Sequence, residues 1–278
     1  MIRVLFNHHT SDFNGGSDKS LFEFVTNLDR EVVSPLVCLR EGDPYIKKYQ
    51  DVGIEVETMT LVSPPKKLIS KQGWRFALTF FYSVFSLVRL IKKRDINVVH
   101  VNTSINIQGG LAGYLSKVPV VWHVRELLGD SMLEKAIKKV VTRFSTIIVV
   151  ISQAVLKSLN SERKILIYNG MALSEYEPEL DLDHVTVNCV GRIEEWKGQH
   201  VALEAISMLK DRYSNITFNF IGAPAVNKPE YYDSLLTKVR KQGLNNVKFL
   251  GGRNDVPNIL LSSQVLLVPT CTSEPFGR

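Results

Sequence analysis

The chain has 278 residues, 45% hydrophobic and 22% charged, which excludes a disordered protein and leaves apolar material for one large core or two ordinary ones. Its net charge of +6 is local: Lys66, Lys67, Lys71, Arg75, Arg89, Lys92, Lys93 and Arg94 fall together with no acid among them, which argues against nucleic-acid binding and for one basic surface. The cysteines, Cys38, Cys189 and Cys271, are scattered through apolar runs, against a disulfide framework or a metal site and in keeping with a reducing cytosol.

The first residues read as a buried strand rather than a cleavable leader. Strands are expected at 3–6, 33–39, 98–101, 120–123, 146–151 and 164–168. A second series is expected at 185–190, 217–221, 247–250 and 265–268. Several are unbroken Val/Ile/Leu runs, the pattern of parallel strands covered on both faces. Crossover helices suit 18–28, 134–144, 199–213 and 230–242. The polar, acidic stretch 176–183 reads as a linker. The expectation is therefore an α/β chain of two Rossmann-like, doubly wound domains, 1–175 and 184–278, facing a cleft. In such sheets ligands bind beyond the carboxyl ends of the strands.

The loops after strands carry the chemistry. Asn14-Gly15-Gly16-Ser17 precedes a helix, so its amides could approach an anion; a plain tight turn is the alternative. His123 and Arg125 end a buried strand, where His123 could serve a ligand or simply pair with Glu126. Gly191-Arg192-Ile193-Glu194-Glu195-Trp196-Lys197-Gly198 places two cations between a strand and a helix start. That set suits a diphosphate better than a solvated turn. Glu274, after the last strand, could accept hydrogen bonds from sugar hydroxyls or be a surface acid.

Taken together the loops resemble the large GT4-type family of retaining glycosyltransferases with the GT-B fold. The matching pieces are Gly15-Gly16, the His123 segment, Ile151-Ser152, Tyr168-Asn169-Gly170, Gly191-Arg192 with Lys197-Gly198, and Ser273-Glu274-Pro275-Phe276-Gly277. The resemblance implies that Arg192 and Lys197 bind the diphosphate of a UDP- or GDP-sugar and stabilise it as it leaves. It implies that Glu274 contacts the transferred sugar, that Phe276 and Gly277 offer backbone amides, and that His123 approaches the donor. Gly16 and Gly191 would border the diphosphate, and Arg125 and Asn169 would lie on the acceptor side. Arg253 is a candidate near the base. The family works without a metal or other cofactor. Its motif has a second glutamate, which would fall at position 282, past Arg278; the second domain is thus expected to be incomplete.

The chemistry fits. Charge grows on the leaving diphosphate, and one oriented donor in a dry cleft can be worth roughly 3 kcal/mol of barrier. No carboxylate pair of the glycosidase kind is evident, so retention is preferred. The expected role is a cytoplasmic enzyme acting on a sugar or lipid-linked acceptor for a surface polysaccharide. Other readings are a non-catalytic sugar-nucleotide-binding subunit and, less favoured, a sugar-nucleotide epimerase. The segment 66–94 adds a membrane question. It has thirteen uncharged residues between Arg75 and Arg89, short of the ~20 needed to span a bilayer. It is either a crossover helix buried on the sheet or one that also touches the inner face of the plasma membrane.

Overall fold

The computed structural model describes residues 1–9, 16–63, 71–170, 183–213, 215–225 and 228–276, with side chains of the helix that opens at 71 described from Arg75. The Asn14-Gly15 loop, Lys66, Lys67, the Trp74 side chain, the linker at 176–182 and Gly277 lie outside them. The chain divides into two compact units, Met1–Met171 with Pro275–Arg278, and Ala172–Glu274.

The first unit alternates strands and helices: β1 (Ile2–His8), α1 (Gly16–Thr26), β2 (Val33–Arg40), α2 (Tyr45–Asp51), β3 (Glu55–Met59), α3 (Lys71–Lys93), β4 (Val98–Asn102), α4 (Ile107–Leu115), β5 (Val120–Val124), α5 (Met132–Phe144), β6 (Ile147–Val150), α6 (Gln153–Ser158) and β7 (Lys164–Leu166). The strands form one parallel sheet in the order β3-β2-β1-β4-β5-β6-β7. Successive side chains on a strand point to opposite faces, and both faces here are covered. Val4 and Phe6 pack with Leu21, Val25, Tyr45 and Tyr49 of α1 and α2. Leu5, Val99 and Trp122 pack with Leu87, Ala112 and Val141 of α3, α4 and α5. The approach of α4 is tight: a Cβ at Gly110 would lie 2.1 Å from the Trp122 ring, so only glycine allows it.

The second unit holds β8 (Val185–Val190), a 3-10 turn at Glu195–Lys197, α7 (Gln199–Leu209), β9 (Ile216–Ile221), α8 (Pro229–Gln242), β10 (Val247–Gly251), α9 (Val256–Leu261) and β11 (Val265–Leu266). Its parallel sheet runs β10-β9-β8-β11. Val187, Phe218, Phe220, Leu203, Ile206 and Leu235 form the core. α8 starts on Pro229 and ends at Gly243 in the left-handed conformation, φ +62°, as helix ends favour.

One boundary differs from the sequence expectation. Pro275–Arg278 goes with the first unit rather than the second. The reason is apolar: the Phe276 ring packs on the first unit's core and lies 6.4 Å from the Tyr168 ring.

Candidate functional site

In the first unit the strand order reverses between β1 and β4, and their carboxyl ends are in register. His8 stands opposite Asn102, and Asn102 opposite His123. A row of polar side chains therefore crosses three neighbouring strand ends, where a doubly wound sheet presents ligand-binding groups. All are buried, as are Asp18 and Arg125, so each must find a partner.

They find one another. Arg125 Nε donates to Asn102 Oδ1 at 2.7 Å and Nη1 to Asn169 Oδ1 at 2.7 Å; Nη2 lies 3.4 Å from His123 Nδ1. Arginine can only donate, so the Asn102 amide nitrogen is left to donate to His8 Nδ1, at 2.9 Å. The His8 proton is then on Nε2, 2.6 Å from Asp18 Oδ1. The polarity of the chain is fixed from Arg125 to Asp18, and both His8 nitrogens are committed. Thr103, just past β4, has φ +76°, which is rare for a β-branched residue. It is held there by its amide donating to His123 O at 3.0 Å and by Trp122 Nε1 donating to its carbonyl at 2.9 Å.

His123 Nε2 is buried and has no partner among the described residues. The pairing of His123 with Glu126 does not form; Glu126 Oε2 instead accepts from the Ser104 amide at 3.0 Å. Burial, reinforced by Arg125 and then His100, holds His123 well below the usual imidazole range. Burial also lowers His100 to about 3 and His9 to about 4. These imidazoles are neutral at pH 7, and because His123 Nδ1 accepts from Arg125, its proton is on Nε2, which can donate without net charge.

A pH dependence follows. In the unfolded chain these histidines take up protons near pH 6.5; in the folded chain they do so only at lower pH. The unfolded state thus binds more protons as acid is added, so stability is full above pH 6.5 and falls towards pH 4. The slope approaches ~1.4 kcal/mol per pH unit for each histidine. Urea unfolding at pH 7.5, 6 and 5 checks this; equal stability at all three would refute it.

In the second unit the loop after β8 leads into α7 through Gly198, with φ +74°. A Cβ there would lie 2.0 Å from the Pro269 carbonyl oxygen, so glycine both permits the turn and lets the loop after β11 lie against it. The Cys271 amide donates to Trp196 O at 2.9 Å across the same contact. This brings Lys197 Nζ to 2.6 Å from Glu274 Oε1, with Thr270 Oγ1 donating to the same oxygen at 2.6 Å. The ammonium lies 4.3 Å over the Trp196 ring. Burial tends to raise the Glu274 pKa, but the hydrogen bonds from Lys197 and Thr270 outweigh it and hold the carboxyl below its ordinary range. Glu274 is therefore a carboxylate at neutral pH.

The structure thus joins Lys197 and Glu274. Arg192 is in the same loop, its Nη1 3.9 Å from Glu194 Oε1 and its carbonyl accepting from Gln199 Nε2 at 2.9 Å. Gly191 follows β8, and its amide donates to Ile221 O at 2.9 Å. Arg253 is gripped by Asp255 through Nε and Nη2 at 2.8 and 2.6 Å, on an exposed turn beyond β10. Arg125 and Asn169 meet within the first unit, and Gly16 opens α1. Sequence reading missed His8, Asp18 and Asn102. The available signal was their position: His8 and Asn102 end the first and fourth strands, and His123 lies one residue from the end of the fifth. A cavity of about 660 Å³, lined in part by Val120, Thr146, Lys117 and Arg163, lies at the opposite, amino end of the first sheet.

Comparison with known proteins gives two family matches: residues 14–175 match the model "Glycosyltransferase Family 4", more than half the chain, and residues 175–278 match "Glycosyl transferases group 1". A curated relative, the capsular polysaccharide biosynthesis glycosyltransferase CapH of Staphylococcus aureus, is 27% identical over 205 residues, 67% of this chain and 56% of the relative. The chain therefore spans little more than half of that protein. Among solved structures, Anabaena HepE in complex with UDP-glucose has a TM-score of 0.80 at 22% identity, covering 100% of this chain and 76% of that one. A glycosyltransferase from Rickettsia africae scores 0.81 at 16% identity, covering 100% and 75%. At these identities the likeness is one of fold.

Proposed function

The chain belongs to glycosyltransferase family 4 and has the GT-B fold, and on that premise we propose that it moves a sugar from a nucleoside-diphosphate sugar to an acceptor, retaining the configuration of the transferred sugar. The observation that carries this reading is the contact of Lys197 with Glu274 at 2.6 Å. It puts a cation suited to a diphosphate next to a carboxylate suited to sugar hydroxyls. A diphosphate and the sugar attached to it need those two groups side by side.

In this reading Lys197 and Arg192 stabilise the charge that grows on the departing diphosphate. Their loop is fixed before substrate arrives, so little reorganisation accompanies the reaction. Glu274 orients the sugar being transferred. Gly191 lets the loop approach the diphosphate, and the amides near Phe276 and Gly277 add to the donor contacts. His123 uses its buried Nε2 on a substrate oxygen, remaining neutral. Gly16, at the head of α1, offers an amide to an anion. Arg125 is recast: with its nitrogens bonded inside the unit, it positions Asn102, Asn169 and His123 rather than gripping an acceptor. Retention is assigned from the family resemblance, and no metal or other cofactor is assigned a part. A UDP-sugar is the favoured donor because HepE binds UDP-glucose. A surface-polysaccharide precursor is the favoured acceptor because CapH is a capsular polysaccharide enzyme.

Thermal unfolding with UDP, GDP or ADP tests the donor assignment. At about a hundred times Kd the matching nucleotide stabilises by ~2.7 kcal/mol, a rise of several degrees. UDP is expected to give it. A rise with GDP alone would change the base, and no rise with any of the three would overturn the reading.

A further inference from the structure

The helix α3 is apolar on two opposite sides. Its inward side, Val84, Leu87, Leu90 and Ile91, is buried in the first unit's core. Its outward side carries Leu78, Phe81, Tyr82 and Phe85, which are 61%, 57%, 65% and 70% exposed. Steps of three and four residues align these four in one stripe. A contiguous aromatic patch of this kind on a protein surface marks a contact with something else. Cations bracket it on the same side: exposed Arg75 ahead of Leu78, and exposed Arg89, Lys92 and Lys93 beyond Phe85. The helix contains no acid. On the same face of the sheet α4 packs beside α3 and α5 beside α4. There α5 adds exposed Lys135 and Lys139, while its one acid, Glu134, is engaged in the capping box with Ser131.

We propose that the outward stripe of α3 seats in the interface of an anionic bilayer, with the helix lying in the membrane plane. Apolar side chains flanked by cations are what that boundary accepts: the rings enter the acyl edge while Arg75, Arg89, Lys92 and Lys93 meet lipid phosphates. No helix among the described residues is long and apolar enough to cross a membrane, so the contact is lateral. A second copy of the chain fits less well. Pairing α3 with α3 sets cation against cation in either orientation. This inference rests on α3 alone and stands independently of the reaction assigned above.

Co-sedimentation of the chain with phosphatidylcholine vesicles, with and without phosphatidylglycerol, tests it at low and high salt. Binding is expected with phosphatidylglycerol and is expected to weaken as salt is added. The double variant Phe81→Ser with Phe85→Ser, both outside the core, should bind about tenfold more weakly or worse, with an unchanged circular dichroism spectrum. Neutralising Arg89, Lys92 and Lys93 to glutamine should remove the preference for anionic vesicles. Absence of binding at low salt would overturn the proposal. Binding unaffected by the phenylalanine substitutions would overturn it too. So would a concentration-dependent dimer, seen by light scattering, that the same double variant abolishes.

Discussion

Turnover by a Lys197→Ala variant is expected to fall by about two to three orders of magnitude, with the loss mainly in kcat. The placement of Lys197 is closely constrained. Gly198 fixes the turn behind it, the Trp196 ring lies beneath it and Glu274 is 2.6 Å away. An ammonium fixed in that way can meet charge as it forms on the leaving group, which is when stabilisation counts. The effect on stability should be small. The pair is partly solvated, and such pairs contribute ~1 kcal/mol or less, so the variant should melt close to the parent. Lys197→Arg restores charge but not shape, because a planar fork cannot occupy the place of a compact ammonium; partial recovery is expected. The measurement is released nucleotide under saturating donor. A kcat within about threefold of the parent would remove Lys197 from the chemistry.

Arg125→Met should act on stability first, at a cost of about 3 kcal/mol. The side chain is buried, and its loss leaves Asn102 Oδ1 and Asn169 Oδ1 without the donors that reach them at 2.7 Å. A buried acceptor left unmet, as Asn102 Oδ1 would be, carries a desolvation penalty of ~1–3 kcal/mol, and the half-buried Asn169 Oδ1 adds less because water can reach it. The titration of two other side chains should move with it. Arg125 is one of the charges that depress His100 and His123, so in the variant both imidazoles should titrate closer to the ordinary histidine range. Histidine NMR titration reads that shift, and urea unfolding reads the stability. Unchanged titration together with a loss below ~0.5 kcal/mol would show that Arg125 is not the hub of the cluster.

The sheets were legible because buried parallel strands write themselves as apolar runs, as in Ile147–Val150. β3 was not legible. Its Glu-Val-Glu-Thr-Met is an edge strand with Glu55 and Thr58 exposed and no residue fully buried, and two carboxylates masked the pattern. α4 was hidden for the opposite reason. Gly109, Gly110 and Gly113 are poor helix formers, and they are there because α4 must lie close to Asn7, Trp122 and Val120 respectively. On the site, the Lys197 and Glu274 loops could be read from residue types just after strands. The His8–Asp18–Asn102–Arg125 chain could not, since it depends on the register of β1, β4 and β5. Phe276 packs on the first unit's core, which could not be read in advance because sequence spacing shows where a strand series ends, not which core an aromatic ring will choose.

The left-handed Thr103 carries a consequence for how this protein can change. Backbone in that region costs a β-branched residue on the order of 1–3 kcal/mol, and a glycine would relieve it. Yet the same distortion aims the Thr103 carbonyl at Trp122 and its amide at the strand that carries His123. Heat tolerance and alignment of the histidine row therefore pull this residue in opposite directions. A lineage adapting to hotter surroundings would have to recover its stability somewhere other than the tip of β4.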